Sequence, residues 1–78
     1  MSSVPVLYSA SWCGYCKLAK AWLGENRVSF QEVDVHTPDG RAAYNDAGAS
    51  GGVPVLMKNN QYVKGFSSVA YEALLGKR

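Results

Sequence analysis

Short strand-like apolar runs alternate along this chain with segments of helical spacing, and that alternation leaves few fold classes open. Val4, Val6, Leu7 and Tyr8 make residues 4–9 a strand, with Pro5 tolerable close to its start. Over residues 13–23, Cys16, Ala19, Trp22 and Leu23 recur at helical spacing, with Lys17 and Lys20 between them. Gly24 is a natural stop for that helix. Residues 28–35 read as a second strand with imperfect alternation. Val28 and Phe30 point one way while Val33 and Val35 point the other, as in an edge strand or a bulge.

Thr37-Pro38-Asp39 then opens a short alanine-rich helix: a hydroxyl cap, proline at the first helical position and an acid in the first turn. It should stop near Gly48. A flexible loop over residues 49–52 delivers Val53-Pro54. Residues 55–58 and 61–64 form a hairpin around Asn59-Asn60, since asparagine tolerates the positive φ angles of tight turns. After Gly65-Phe66, Ser67 or Ser68 caps a last helix whose buried stripe is Val69, Ala70, Ala73 and Leu74. The order is βαβαββα. It predicts an α/β domain over residues 1–78, with a parallel βαβ unit and an antiparallel hairpin in one four-stranded mixed sheet flanked by three helices. With 78 residues, 47% of them hydrophobic, a core is feasible only if it is compact and regular.

Net charge is +2 from eight basic and six acidic residues, with no basic stripe, so no nucleic-acid partner is indicated. Lys77 and Arg78 read as a solvated tail. No apolar run approaches the roughly 20 residues that span a bilayer, and no signal peptide is visible. A cytoplasmic setting is the default expectation, and there two cysteines do not make a permanent structural staple.

Those cysteines, Cys13 and Cys16, frame Gly14 and Tyr15 at the start of the first helix. Disulfide exchange needs one thiolate to attack and a second thiol close enough to resolve the mixed disulfide. Two intervening residues place the sulfurs about one helical turn apart. Free N–H groups and the dipole at the helix start favour negative charge on Cys13, and Lys17 adds to that. Cys16 shares a helix face with Ala19 and Leu23, so it is expected to be less accessible and to act second. A zinc site needs about four ligands, and two cysteines with the single His36 could supply them only between two chains. Two incidental core cysteines are the other alternative, which the strand–loop–helix context disfavours. His36 reads as a surface residue, and Tyr44, Tyr62 and Tyr71 as packing or surface residues.

Over essentially its whole length the chain resembles the glutaredoxin branch of the thioredoxin-like superfamily. The resemblance rests on Tyr8, on Trp12-Cys13-Gly14-Tyr15-Cys16-Lys17, on Gly52-Val53-Pro54-Val55 and on Gly65-Phe66, in that order. It implies a thioredoxin-like fold in which Pro54 is a cis-proline facing the cysteines. The Val53 backbone is then free to pair with an extended thiol substrate, whereas by itself Val53-Pro54-Val55 could simply begin a strand. It also implies that Tyr15 lines the substrate groove and that Trp12 shields the active-site sulfur. Gly65, Phe66 and Ser67 would present a helix start to the γ-glutamyl carboxylate of glutathione. The chain departs from the common pattern in four places. Gly14 replaces a frequent proline, Ala10 a basic residue that binds a glutathione carboxylate, and Gly52 a threonine. Acidic residues are missing after Phe66.

The function expected is reduction of protein disulfides, low-molecular-weight disulfides or glutathione mixed disulfides by a monomer. Glutathione is the co-substrate, glutathione or a thioredoxin-reductase-type partner is the reductant, and no cofactor is tightly bound. The alternative is a dimeric carrier of a glutathione-ligated [2Fe–2S] cluster, which Gly14 permits and the missing basic residue at Ala10 opposes. A domain used mainly for docking within a larger reductase is a third, weaker reading.

Overall fold

The computed structural model describes residues 4–49 and 52–76. The expected tail at Lys77 and Arg78 and the middle of the expected loop over residues 49–52 lie outside them. The elements are β1 (Val6–Ser9), α1 (Gly14–Glu25), β2 (Gln31–Asp34), α2 (Pro38–Asp46), β3 (Val55–Lys58), β4 (Gln61–Lys64) and α3 (Ser68–Leu75). They form one four-stranded sheet in the order β2-β1-β3-β4. β1 pairs parallel with β2 and antiparallel with β3, and β3 pairs antiparallel with β4. The order and the mixed sheet are those expected from the sequence.

Period-2 alternation along the two central strands builds a core on each face of the sheet. Leu7 and Leu56, cross-strand partners, face Ala19 and Leu23 of α1 and Tyr71 of α3. Tyr8 and Val55, the neighbouring pair, face Ala43 and Tyr44 of α2. Two helices therefore cover one face and one helix the other. β2 is the edge strand beside β1, and its approach explains the imperfect alternation. Val28 and Phe30 pack with the α1–α3 side, Val33 and Val35 with the α2 side.

The ends of the elements differ from expectation in physically readable ways. β1 starts at Val6 rather than Val4: Val4 is exposed, and Pro5 contributes only its carbonyl, which accepts from the Gln31 N–H at 2.9 Å. α1 runs through Gly24 to Glu25. The turn comes at Arg27, a left-handed residue with φ 58°, whose N–H donates to the Gly24 carbonyl while the Val28 N–H donates to that of Leu23. A glycine inside a helix costs about 1 kcal/mol against alanine, too little to end one alone. In α3, Ser67 is the cap, its hydroxyl accepting from the Ala70 N–H at 3.3 Å. The expected stripe shifts by one position, however. Tyr71 is the fully buried residue, Leu74 and Leu75 pack against the core, and Val69 is exposed. The ring of Tyr71 meets those of Trp22 and Phe66 edge-on, at 5.7 and 5.4 Å, so α3 turns this aromatic inward.

Thr37 caps α2 as expected, its Oγ1 accepting from the Gly40 N–H at 3.0 Å and donating to the Asp34 carbonyl at 2.9 Å. This folds the helix start back onto the end of β2 so closely that a Cβ on Gly40 would overlap the Asp34 carbonyl. Backbone cannot swing aside as a flexible side chain can. Gly40→Ala is therefore expected to cost about 2 kcal/mol and to lower Tm by roughly 10 °C in thermal unfolding.

Candidate functional site

β1 delivers the chain through Ala10, Ser11 and Trp12 to Cys13, which caps α1 with extended backbone (φ −90°, ψ 117°). A cysteine takes the place of the usual hydroxyl or carboxylate cap: its Sγ accepts from the Cys16 backbone N–H at 3.2 Å. The first-turn donor and the helix dipole therefore both point at this sulfur. Cys13 is 7% exposed and Cys16 0%, packed with Ala10 and flanked by Val35 and Val53. Burial is the largest influence on the Cys16 thiol, with the adjoining Cys13 next, and together they push its pKa up to about 11. Cys16 therefore carries its proton at neutral pH while the dithiol is reduced. Both cysteines are free.

The Val53–Pro54 bond is cis, and the Cys13 thiol points at the Val53 carbonyl at 3.7 Å. On the far side of this loop, the Gly65 N–H donates to the Pro54 carbonyl at 2.7 Å. The buried Tyr71 hydroxyl donates to the Gly65 carbonyl at the same distance. Burial, and the Cys16 sulfur to a lesser degree, raise the pKa of this phenol, which keeps it protonated as a donor. Cys13, Cys16, Val53, Pro54 and Gly65 are thus brought together. Ser67 stands at the start of α3, while the Phe66 ring packs on Tyr71. Trp12 and Tyr15 flank Cys13 with large exposed rings, 68% and 67% accessible.

Three residues join the site that sequence reasoning left out. His36 follows β2, and its Nδ1 accepts from the Trp12 indole N–H at 3.1 Å, which fixes the indole beside Cys13. Arg41 and Tyr44 of α2, with Trp12, Val35, Gly52 and Val53, line a pocket of about 350 Å³ next to the cysteines. Among the described residues, Arg41 is the only charged one on its walls. No periodicity marks these residues, because their relation to Cys13 is set by how α2 lies on the sheet. Ala10 is buried at 3% exposure, so the position before the cysteines offers the pocket neither charge nor surface. Among the described residues, no three His, Cys, Asp or Glu side chains gather to hold a metal, and no helix is long and apolar enough to cross a membrane.

A sheet-bound strand leading to a CxxC cap, faced by a cis-proline loop, places the molecule among thioredoxin-like folds. It superposes on the thioredoxin-like protein BC3987 with TM-score 0.80 at 24% identity, over 90% of this chain and 97% of that one. The glutaredoxin of Archaeoglobus fulgidus gives TM-score 0.80 at 20% identity, over 94% of this chain and 86% of that one. A buckwheat glutaredoxin–glutathione complex gives 0.68 at 24%, over 96% and 72%. Residues 6–63 match the glutaredoxin family model. The chain belongs to the glutaredoxin family. A Mycobacterium tuberculosis protein described as a glutaredoxin is 41% identical over 46 residues, 59% of this chain. The match spans about half (52%) of that relative's length.

The difference between the two sulfurs has a direct readout. Iodoacetamide at pH 7–8 is expected to alkylate Cys13 and spare Cys16, whose modification should begin only as pH approaches about 11. Peptide mass mapping of the reduced protein across a pH series checks this, and early labelling of Cys16 would contradict the assignment.

Proposed function

We propose that the chain is a thiol–disulfide oxidoreductase with a Cys-Gly-Tyr-Cys centre, in which Cys13 attacks and Cys16 resolves. The observation that carries this reading is the pair of contacts at the Cys13 sulfur: the Cys16 N–H at 3.2 Å and the Val53 carbonyl at 3.7 Å. The first aims a helix-start N–H at the sulfur assigned the attack. The second marks the backbone on which an extended substrate would pair.

The Cys13 thiolate attacks one sulfur of the substrate disulfide, whose other sulfur leaves as a thiolate and takes up a proton. Cys16 then gives up its proton and attacks the Cys13 sulfur. This releases the second substrate thiol and leaves a Cys13–Cys16 disulfide. Two electrons from two glutathione molecules, or from a reductase-held dithiol, restore the pair. With glutathione mixed disulfides, a second glutathione can replace Cys16 as the resolving thiol. The family membership and the glutathione complex of the buckwheat neighbour support glutathione as co-substrate. Ala10 offers no cation for its carboxylate, and Arg41 at the pocket is the group placed to take that part. Trp12 and Tyr15 wall the approach, Val53 and Pro54 form its floor, and Gly65, Phe66 and Ser67 bound its far end. The protein acts as a cytoplasmic monomer without a tightly bound cofactor. A brown protein after anaerobic purification would point instead to the cluster-carrying alternative.

Cys13→Ser is expected to lose turnover by about 10³-fold or more with every disulfide. Cys16→Ser should lose activity on protein disulfides but retain it on glutathione mixed disulfides, assayed with glutathione, glutathione reductase and NADPH. Normal turnover by Cys13→Ser would refute the assignment. Removing the charged group on the pocket wall, Arg41→Ala, should raise KM for a glutathione mixed disulfide about tenfold, as expected for losing one charge-assisted hydrogen bond. The KM of a small uncharged disulfide should stay within about twofold.

A further inference from the structure

We infer that Tyr44 is a positioning residue for disulfide exchange, holding the Val53 carbonyl opposite Cys13 by clamping both backbone groups of Gly52. The inference rests on the oxidoreductase reading above and deepens it. The Tyr44 hydroxyl donates to the Gly52 carbonyl at 2.6 Å and accepts from the Gly52 N–H at 3.0 Å. One side chain thus uses donor and acceptor on a single loop residue, immediately before the residue whose carbonyl faces the Cys13 sulfur at 3.7 Å. The Tyr44 ring is itself held, meeting Tyr8 of the central strand edge-on at 5.6 Å. A rigid path therefore runs from the strand that leads to Cys13, through Tyr44, to the loop opposite Cys13.

Gly52 needs such a hold. Its φ of +110° lies where residues with a Cβ rarely go, although a Cβ there would meet nothing within 4 Å. The glycine is demanded by backbone conformation, and a glycine loop is the most costly backbone to order. The Gly65 N–H tethers the loop from its other side, at Pro54. Tyr44 supplies the tether before Val53. If a substrate pairs with Val53, a carbonyl already fixed spares the ordering cost at the moment of binding. The consequence falls on substrate affinity and not on the sulfur chemistry, because the Tyr44 hydroxyl is engaged with the Gly52 backbone and its ring with Tyr8.

Tyr44→Phe keeps the ring against Tyr8 and removes only the hydroxyl. We expect KM for a peptide disulfide to rise about five- to tenfold, with kcat and the iodoacetamide reaction rate of Cys13 within about twofold of the parent. Amide hydrogen exchange at Gly52 and Val53 should accelerate while that of β1 is unchanged. Gly52→Ala should give a similar KM increase, and the double variant Tyr44→Phe/Gly52→Ala no more than the larger single effect, since both act through one loop. An unchanged KM in Tyr44→Phe, additive effects in the double variant, or equal loss in KM, kcat and alkylation rate would each overturn the inference. If the parent protein reduces no disulfide, the oxidoreductase reading fails. The exchange data then decide the clamp separately, and unaltered exchange at Gly52 overturns it.

Discussion

The antiparallel pairing of β1 with β3 is the contact on which the site depends. Its register sets Tyr8 opposite Val55. Because the strands run in opposite directions, the chain leaving β1 toward Cys13 lies beside the chain entering β3 from Val53 and Pro54. The same pairing puts Leu7 against Leu56, filling the core beneath α1 and α3. A one-residue slip of β3 would turn Leu56 toward α2 and carry the Val53 carbonyl away from Cys13. Core packing and site geometry are consequences of one register, so burial of the apolar residues also specifies the chemistry.

Within that frame the two sulfurs of one short motif acquire different properties. Cys13 ends an extended segment and receives a helix-start N–H, while Cys16 lies one turn deeper, on the face α1 buries with Ala19 and Leu23. The buried thiol is held protonated by loss of solvent and by the neighbouring sulfur. The attacking and resolving roles proposed for them rest on this difference of position on the helix. His36 steadies the indole of Trp12 beside them by accepting its N–H.

The strength of the fold is distributed unevenly around the site. The side reached by α3 is bound into the core through Tyr71, which packs against Trp22 and Phe66 and holds Gly65. The side reached by α2 is more open: the Tyr44 hydroxyl and the pocket wall stand between the sheet and solvent. Glu32 secures the opposite margin of the sheet. Its carboxylate accepts from the buried Ser9 hydroxyl at 2.7 Å and pairs with Lys20 at 3.0 Å, and these contacts, the Ser9 bond foremost, lower its pKa.

Local pattern was enough for most of the architecture. Alternation in Leu7 and Tyr8, the Thr37 cap and the Asn59-Asn60 turn, with φ of 53° and 68°, are short-range signals, and the elements they mark are present. The cysteine spacing likewise set two thiols about one helical turn apart, and Cys13 and Cys16 do lie together. Local pattern failed where two local readings compete: Gly24 did not end α1, and the inward face of α3 proved to be that of Tyr71. Both outcomes were settled by packing against other elements, where burying a large aromatic outweighs the placement of Val69. The contacts Trp12–His36, Arg41 beside the pocket and Tyr44–Gly52 had no counterpart in the sequence. They join residues that no helical or strand period relates, and only the placement of α2 on the sheet brings them to Cys13. By itself, then, the sequence determined the elements, their order and the spacing of the two thiols, because those depend on neighbours along the chain. The tertiary structure alone decided what surrounds the thiols, because that depends on neighbours across it.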